Sequence, residues 1–287
     1  MAPAEQKGMK DLPKTLSIIG CGKVGKTLAR LWGQTQTFVI QDVLNRSLES
    51  AERAVSFIGS GRAIEDYAQL RPTDVYMIAA GDDQIADCCE KLSRTGHLSS
   101  HSIVFHCSGA LPSNVLQQAV AQGAAIAGIH PIRSFAVPEQ VATNFAGTWC
   151  GAEGDRHALE LLSDRFSAIG ARLVPIDAEF KVVYHSAAVF ACNYLVTLLD
   201  TARQAYVKAG IPPDVALQLM EPLVRDTVDN VFHFGPDAAL TGPIARRDVA
   251  TVVRQYRIVN RWDKQYGALY KQLGKLTARL VAGKNRR

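Results

Sequence analysis

The chain has 287 residues, 47% hydrophobic and 21% charged, enough for two modest domains with cores of their own. Its formal net charge of +5 is mild and partly collected in Lys284, Arg286 and Arg287, a solvated tail. No basic stripe interleaved with aromatics marks a nucleic-acid surface, and a slightly basic site suits an anionic cofactor equally well. Six cysteines (Cys21, Cys88, Cys89, Cys107, Cys150, Cys192) lack C-x-x-C spacing. That pattern argues against zinc and a disulfide framework and suits a reducing cytoplasm.

From the N-terminus, Met1 to Lys14 is polar and lacks the apolar centre of a signal peptide. Thr15 to Ile19 is an apolar run that predicts a buried strand, and a helix comes next with Leu28, Leu31 and Trp32 at helical spacing. Strand and helix then alternate: Thr37–Leu44 and Val75–Ala80 as strands, Ser47–Phe57 and the stretch through Leu92 as helices. Ser102–His106, Ala124–Ile129, Gly147–Gly151 and Arg172–Ile176 read as further strands, with a helix over Arg156–Ile169. This alternation predicts an α/β domain with a doubly wound parallel sheet over residues 14–176. From Asp177 the chain reads as all helix, over Phe180–Ala209, Pro213–Phe232 and Val249–Ala282, which makes 177–287 a second, all-α domain. Ser186–Leu199 is apolar nearly all round but contains Asn193 and falls short of the roughly twenty residues a membrane helix needs. It predicts a buried helix and, since one small domain can hardly cover it, a homodimer built on the helical domain.

Between the first strand and helix stands Gly20-Cys21-Gly22-Lys23-Val24-Gly25, a G-x-G-x-x-G in the context that gives the motif its meaning. Gly20 permits the tight turn, Gly22 lets a pyrophosphate approach the backbone, and Gly25 lets the helix pack on the strand. A dinucleotide would rest its phosphates on the helix N-terminus. Ala80 and Gly81, at the end of a neighbouring strand, complete the expected cofactor contacts. The cofactor's identity turns on the tip of the second strand. If the strand stops early, Asp42 can bind the ribose hydroxyls of NAD. If it runs through Val43-Leu44, the tip is Asn45-Arg46-Ser47, where an arginine beside a hydroxyl suits the 2′-phosphate of NADP. The apolar run resuming at Val43 and the helix-capping character of Asn-Arg-Ser favour NADP.

Candidates for the chemistry lie at strand ends and on the first helix after Asp177. Lys181, His185 and Asn193 share one helical face within roughly a 120° arc. Polar groups set into an apolar helix need partners or a function, because burying them unpaired is costly. Ser108 follows a strand end, where it is either a substrate contact or a cap. His130 precedes Pro131, which fixes the local backbone. Arg246 follows Thr-Gly-Pro and is the candidate clamp for a substrate carboxylate. His106 lies within a strand and reads as structure, and Cys21 as a small filler.

Lys181-x-x-x-His185 resembles the K-x-x-x-N motif of the β-hydroxyacid dehydrogenase and ketopantoate reductase group, with His185 in place of the Asn. Those enzymes join a Rossmann domain to a helical domain of 6-phosphogluconate dehydrogenase type, and their lysine is the general acid/base. The resemblance thus leaves the proton donor to Lys181 or His185. Four segments resemble one family almost end to end: Cys107–Leu111, His130–Phe135, Lys181–Asn193 and Leu240–Arg246. Its members are Rossmann-like oxidoreductases with a C-terminal domain of unknown function, some similar to ketopantoate reductases. The chain departs at Arg247, where the pattern has glycine. His130-Pro131 also resembles the His-Pro of prephenate dehydrogenases. Together these resemblances imply reduction of a small 2-oxo acid, with a prephenate-like dehydrogenase as one alternative. The rival from another class is a non-catalytic sensor whose glycine loop binds a dinucleotide without turnover.

Overall fold

The computed structural model describes residues 13–284, so the polar start through residue 12 and the tail residues Arg286 and Arg287 lie outside the described residues. Eight strands form one sheet: β1 (Lys14–Ile19), β2 (Phe38–Leu44), β3 (Arg62–Ile64), β4 (Val75–Ile78), β5 (Ile103–His106), β6 (Ala125–Pro131), β7 (Trp149–Gly154) and β8 (Arg172–Pro175). Their order is β3-β2-β1-β4-β5-β6-β7-β8. Every pairing is parallel except β6 with β7. The sequence predicts the parallel doubly wound sheet, but it does not reveal that β7 and β8 run opposite to the rest, nor the short edge strand β3.

Central strands of such a sheet are apolar on both faces because helices cover both. Accordingly Val75 and Met77 of β4 join one core while Tyr76 and Ile78 join the other. The first core holds α1 (Lys23–Gln34), α2 (Leu48–Ile58), α5 (Pro138–Thr143) and α6 (Arg156–Ser167) against the sheet. Trp32 is its centre, with Phe38 and Phe166 edge-on at 5.3 and 5.1 Å and its indole N–H donating to the Arg165 carbonyl at 2.9 Å. The second core packs α3 (Ile85–Ser93) and α4 (Gln117–Val120) on the opposite face.

The remaining helices are α7 (Lys181–Ala188), α8 (Tyr194–Lys208), α9 (Pro213–Phe234), α10 (Pro236–Ala239), α11 (Val249–Trp262) and α12 (Lys264–Lys284). The chain divides into two units, Met1–Phe190 and Ala191–Arg287, so α7 belongs with the sheet and the division falls beyond the predicted Ile176-Asp177. The reason is local: α7 is tied to the sheet by the side chains described below. Within the second unit α8 packs on α9, and α11 on α12. Asp263 ends α11 and interrupts the single helix predicted over Val249–Ala282.

Two expectations about the apolar helix are corrected. Helical structure runs unbroken over Ala178–Lys208, 31 residues with a mean hydropathy of 1.6 in its most apolar stretch, which is long and apolar enough to cross a membrane. The span agrees with the helix predicted over Phe180–Ala209; what is corrected is the limit of the apolar stretch, which extends beyond Ser186–Leu199. It is also exposed rather than buried in the single chain: none of α8 is buried, and Val196 is 69% exposed. A π turn over Val189–Asn193 lies in its middle.

Candidate functional site

The glycine loop joins β1 to α1 and is braced from two sides. Gly20 adopts φ +76 and sits so close to Ala80 that a Cβ would meet its backbone at 2.7 Å. Its N–H donates to the Leu44 carbonyl at 2.8 Å, and the Cys21 N–H to Asn45 Oδ1 at 2.6 Å, which fasten the loop to the tip of β2. At Gly22 a Cβ would meet nothing within 4 Å. Gly22 is also the N-cap of α1 and brings no side-chain cap, so the N–H groups of the helix's first turn receive no capping side chain there. An open cradle over free helix-terminal donors fits the pyrophosphate of a dinucleotide. Lys23 turns away and donates to the Ala136 carbonyl at 3.0 Å. Burial pushes the Cys21 thiol up to about 12, which suits a filler and not a nucleophile.

The tip of β2 separates the two cofactor readings. The strand continues to Leu44, so Asp42 lies inside the sheet, fully buried. Arg71 bonds its carboxylate at 2.7 Å and Arg62 at 2.9 Å, while the Arg71 N–H adds a bond at 2.9 Å. Burial alone would raise this carboxyl, but the arginine hydrogen bonds outweigh it and hold the group below the ordinary range. Asp42 is therefore committed, and the tip is Asn45-Arg46-Ser47. Asn45 is a brace: its Oδ1 holds Cys21 and its Nδ2 donates to the Ser50 carbonyl at 3.1 Å. Ser47 caps α2 by accepting from the Ser50 N–H. Arg46 is exposed and forms no ion pair among the described residues.

Helix α7 brings Lys181, Tyr184 and His185 onto the end of the sheet. The Lys181 side chain is not in an open site: it is fully buried, with Nζ 2.7 Å from Glu153 Oε1 of β7. Ser113 completes the group, its N–H donating to Glu153 Oε1 at 3.0 Å and its hydroxyl to Oε2 at 2.7 Å. Burial pulls the Lys181 ammonium down, and Glu153 only partly offsets this. The pair lies directly over Gly128 of β6, where any Cβ would collide with both charged groups. Beside it, His106 is buried with Nδ1 accepting from the Ser108 N–H at 3.1 Å, which leaves its proton on Nε2 facing the Pro112 carbonyl. Burial and then the Lys181 charge lower His106 to about 3.

One turn further along α7 a second cluster forms. His130, at the end of β6, has its Nδ1 3.0 Å from the Tyr184 hydroxyl and its ring 5.6 Å from that of His185. His130 Nε2 and His185 Nδ1 both point at Gly109, each within 3.0 Å of where a Cβ would stand, so the two nitrogens are less than about 6 Å apart. His185 Nδ1 is buried with no hydrogen-bond partner. Burial, then His185 and Lys181, lower His130 to about 4 against the opposing pull of Asp82. The Gly109 N–H is likewise without a bond among the described residues.

The structure thus brings His130 and His185 together within the first unit, whereas Asn193 and Arg246 belong to the second. Asn193 ends the π turn, which breaks the spacing that would place it in phase with Lys181, and it is exposed in the second unit. Arg246 is exposed in that unit and forms no ion pair among the described residues. The missing glycine of that loop is visible: Arg247 is held at φ +60, the left-handed region that favours glycine. Ser108 is a cap, its Oγ accepting from the Ala110 and Leu111 N–H groups at 3.2 and 3.0 Å. Sequence reasoning misses Glu153, Ser113 and Tyr184. Glu153 carries a signal, a lone carboxylate inside an apolar strand run, whereas Tyr184 carries none. Among the described residues no group of three His, Cys, Asp or Glu side chains could hold a metal ion.

Residues 1–131 match the family model of the Rossmann-like domain, and residues 148–277 match that of a domain of unknown function, DUF2520. No curated protein matches the chain. Among solved structures the chain is similar to a protein from Thermotoga maritima, at 25% identity and TM-score 0.74, covering 95% of this chain and 100% of that one. It is similar to a candidate NADP oxidoreductase from Bacteroides fragilis, at 23% identity and TM-score 0.73, covering 93% and 98%. A third is the NADP-bound pyrroline carboxylate reductase of Plasmodium falciparum, at 12% identity and TM-score 0.58, covering 96% and 100%. The fold is a Rossmann-like α/β domain followed by a helical region.

Proposed function

We propose that this protein is an NADP-dependent oxidoreductase that reduces a small 2-oxo acid, with ketopantoate the leading candidate substrate. One observation carries the reading: the glycine loop after β1, Gly81 after β4, Gly109 after β5 and His130 at the end of β6 succeed one another along one edge of the sheet. In parallel sheets ligands bind at the carboxyl ends of the strands. The first turn of α1 would hold the pyrophosphate, and Arg46 would face the 2′-phosphate with Asp42 withdrawn into the sheet. The bound nicotinamide would supply the hydride. A neutral His130 would polarise the substrate carbonyl through an imidazole N–H. His185, with an unsatisfied buried nitrogen beside it, would then give the proton. Lys181, enclosed with Glu153, supports α7, the helix that carries His185.

The test is a panel of 2-oxo acids with NADPH and with NADH, following the absorbance of the reduced nicotinamide. NADPH oxidation with at least one 2-oxo acid supports the proposal. Turnover only with NADP+ and prephenate would favour the prephenate-like alternative, which uses the same His130. Tight cofactor binding with no turnover would favour a sensor. The proposal includes a cytoplasmic location, which suits six free cysteines. It also includes a homodimer through the helical unit, because Leu217, Leu223 and Phe232 are 57, 58 and 84% exposed in the single chain. Sedimentation at micromolar concentration should give twice the chain mass, and a monomer would rule this part out.

A further inference from the structure

Tyr184 meets His130 in a defined way. Its hydroxyl is 3.0 Å from Nδ1, and the rings are edge-on at 5.6 Å and 89°. Gly151 of β7 provides the room, since a Cβ there would meet the phenol oxygen at 2.5 Å. Between a neutral phenol and a neutral imidazole, the phenol is the stronger acid and the ring nitrogen the stronger base. The bond therefore runs O–H to N, with tyrosine donating. Burial pushes the phenol up to about 12 and the imidazole down to about 4, so both are neutral near pH 7 and the comparison of neutral groups applies. With Nδ1 accepting, the ring proton must sit on Nε2. That is the nitrogen facing Gly109 and the unpartnered His185 Nδ1.

We infer that Tyr184 is a positioning residue: its hydroxyl holds His130 in the tautomer that carries the proton on Nε2, aimed at the space beside Gly109. The inference rests on the reading of His130 as the group that polarises the carbonyl. A substrate oxygen there needs an N–H donor, and the opposite tautomer would present it with a lone pair. The charged and titratable groups facing the ring are His185 and Lys181 of α7, Tyr184 itself, and Asp82 after β4. Of these, the phenol is the one that chooses between the two ring nitrogens.

The tautomer is readable without substrate, from the imidazole nitrogen spectra of the full-length protein carrying isotope-labelled histidine. The His130→Gln variant identifies the signals. Wild-type His130 should show a bare Nδ1 and a protonated Nε2 at neutral pH. Tyr184→Phe keeps the ring and removes only the donor. It should show both tautomers in exchange, and His130 should titrate about one pH unit higher, since a bond favouring the neutral form is gone. Turnover of the reducible 2-oxo acid should fall about tenfold with the KM for NADPH unchanged. A wild-type His130 protonated on Nδ1, or a Tyr184→Phe spectrum identical to wild type, overturns the inference. The wild-type spectrum decides the donor direction even if the variant fails to fold. If the spectra shift as expected but no 2-oxo acid is reduced, the positioning stands and the proposed reaction falls.

Discussion

Replacing Glu153 with glutamine removes one charge and little volume, and the cost falls on the ammonium it leaves behind. Lys181 has no exposed surface, and its Nζ lies 2.7 Å from a single carboxylate. In Glu153→Gln that ammonium either stays charged in an apolar site or gives up its proton, toward which burial already biases it. Breaking a buried pair from one side costs about 3–5 kcal/mol. Against a typical total of about 5–15 kcal/mol this is a large fraction. At about 2–4 °C per kcal/mol for a unit of this size, the melting temperature should fall by about 6–20 °C. Adding Lys181→Met removes the stranded charge, while the amide oxygen of the introduced glutamine can still accept from Ser113. The double variant should then recover to within about 1 kcal/mol of wild type. Urea and thermal unfolding followed by circular dichroism measure both. A single variant within about 1 kcal/mol of wild type, or a double variant no better than the single, would refute the buried ion pair as the anchor of α7.

Arg46→Ala should weaken NADPH by about 1.5–3 kcal/mol and leave NADH nearly untouched, by titration of each cofactor; equal losses would return the role to another residue. Arg247→Gly relieves a left-handed residue worth about 1–2 kcal/mol and loses about 0.5–1 to chain entropy, so a net gain of about 0.5–1 kcal/mol is expected in chemical denaturation. Acid should destabilise the fold through His106 and His130, whose folded pKa values of about 3 and about 4 lie below the ordinary 6.5. The unfolded chain binds protons first, so stability is complete above about pH 6.5 and drains as pH falls toward about 4 and 3; a urea midpoint flat over that range contradicts this.

The glycine loop and the extent of β2 are legible in the sequence because their determinants are local. Gly20, Gly22 and Gly25 announce themselves by spacing, and the apolar Val43-Leu44 correctly extends β2 past Asp42. What stays hidden depends on distant pairing. Glu153 meets Lys181 only because β7 lies antiparallel to β6, and nothing in the run Trp149–Gly154 encodes strand direction. Lys181 and His185 are four residues apart and read as one constellation, yet one side chain goes down into Glu153 and the other reaches across to His130. Asn193 leaves that constellation through a π turn, which makes no mark in residue spacing.

Gly109, Gly128 and Gly151 stand on or just beyond three adjacent strands, and each leaves out the one methylene that would block His185, Lys181 or Tyr184. The sheet edge is in effect a mould and α7 its casting, so these six positions should change together or not at all. A sequence with this Rossmann core but alanine or larger at any of the three glycines should seat its equivalent of α7 elsewhere. The trio would then serve as a fingerprint that separates chains sharing this chemistry from those sharing only its scaffold.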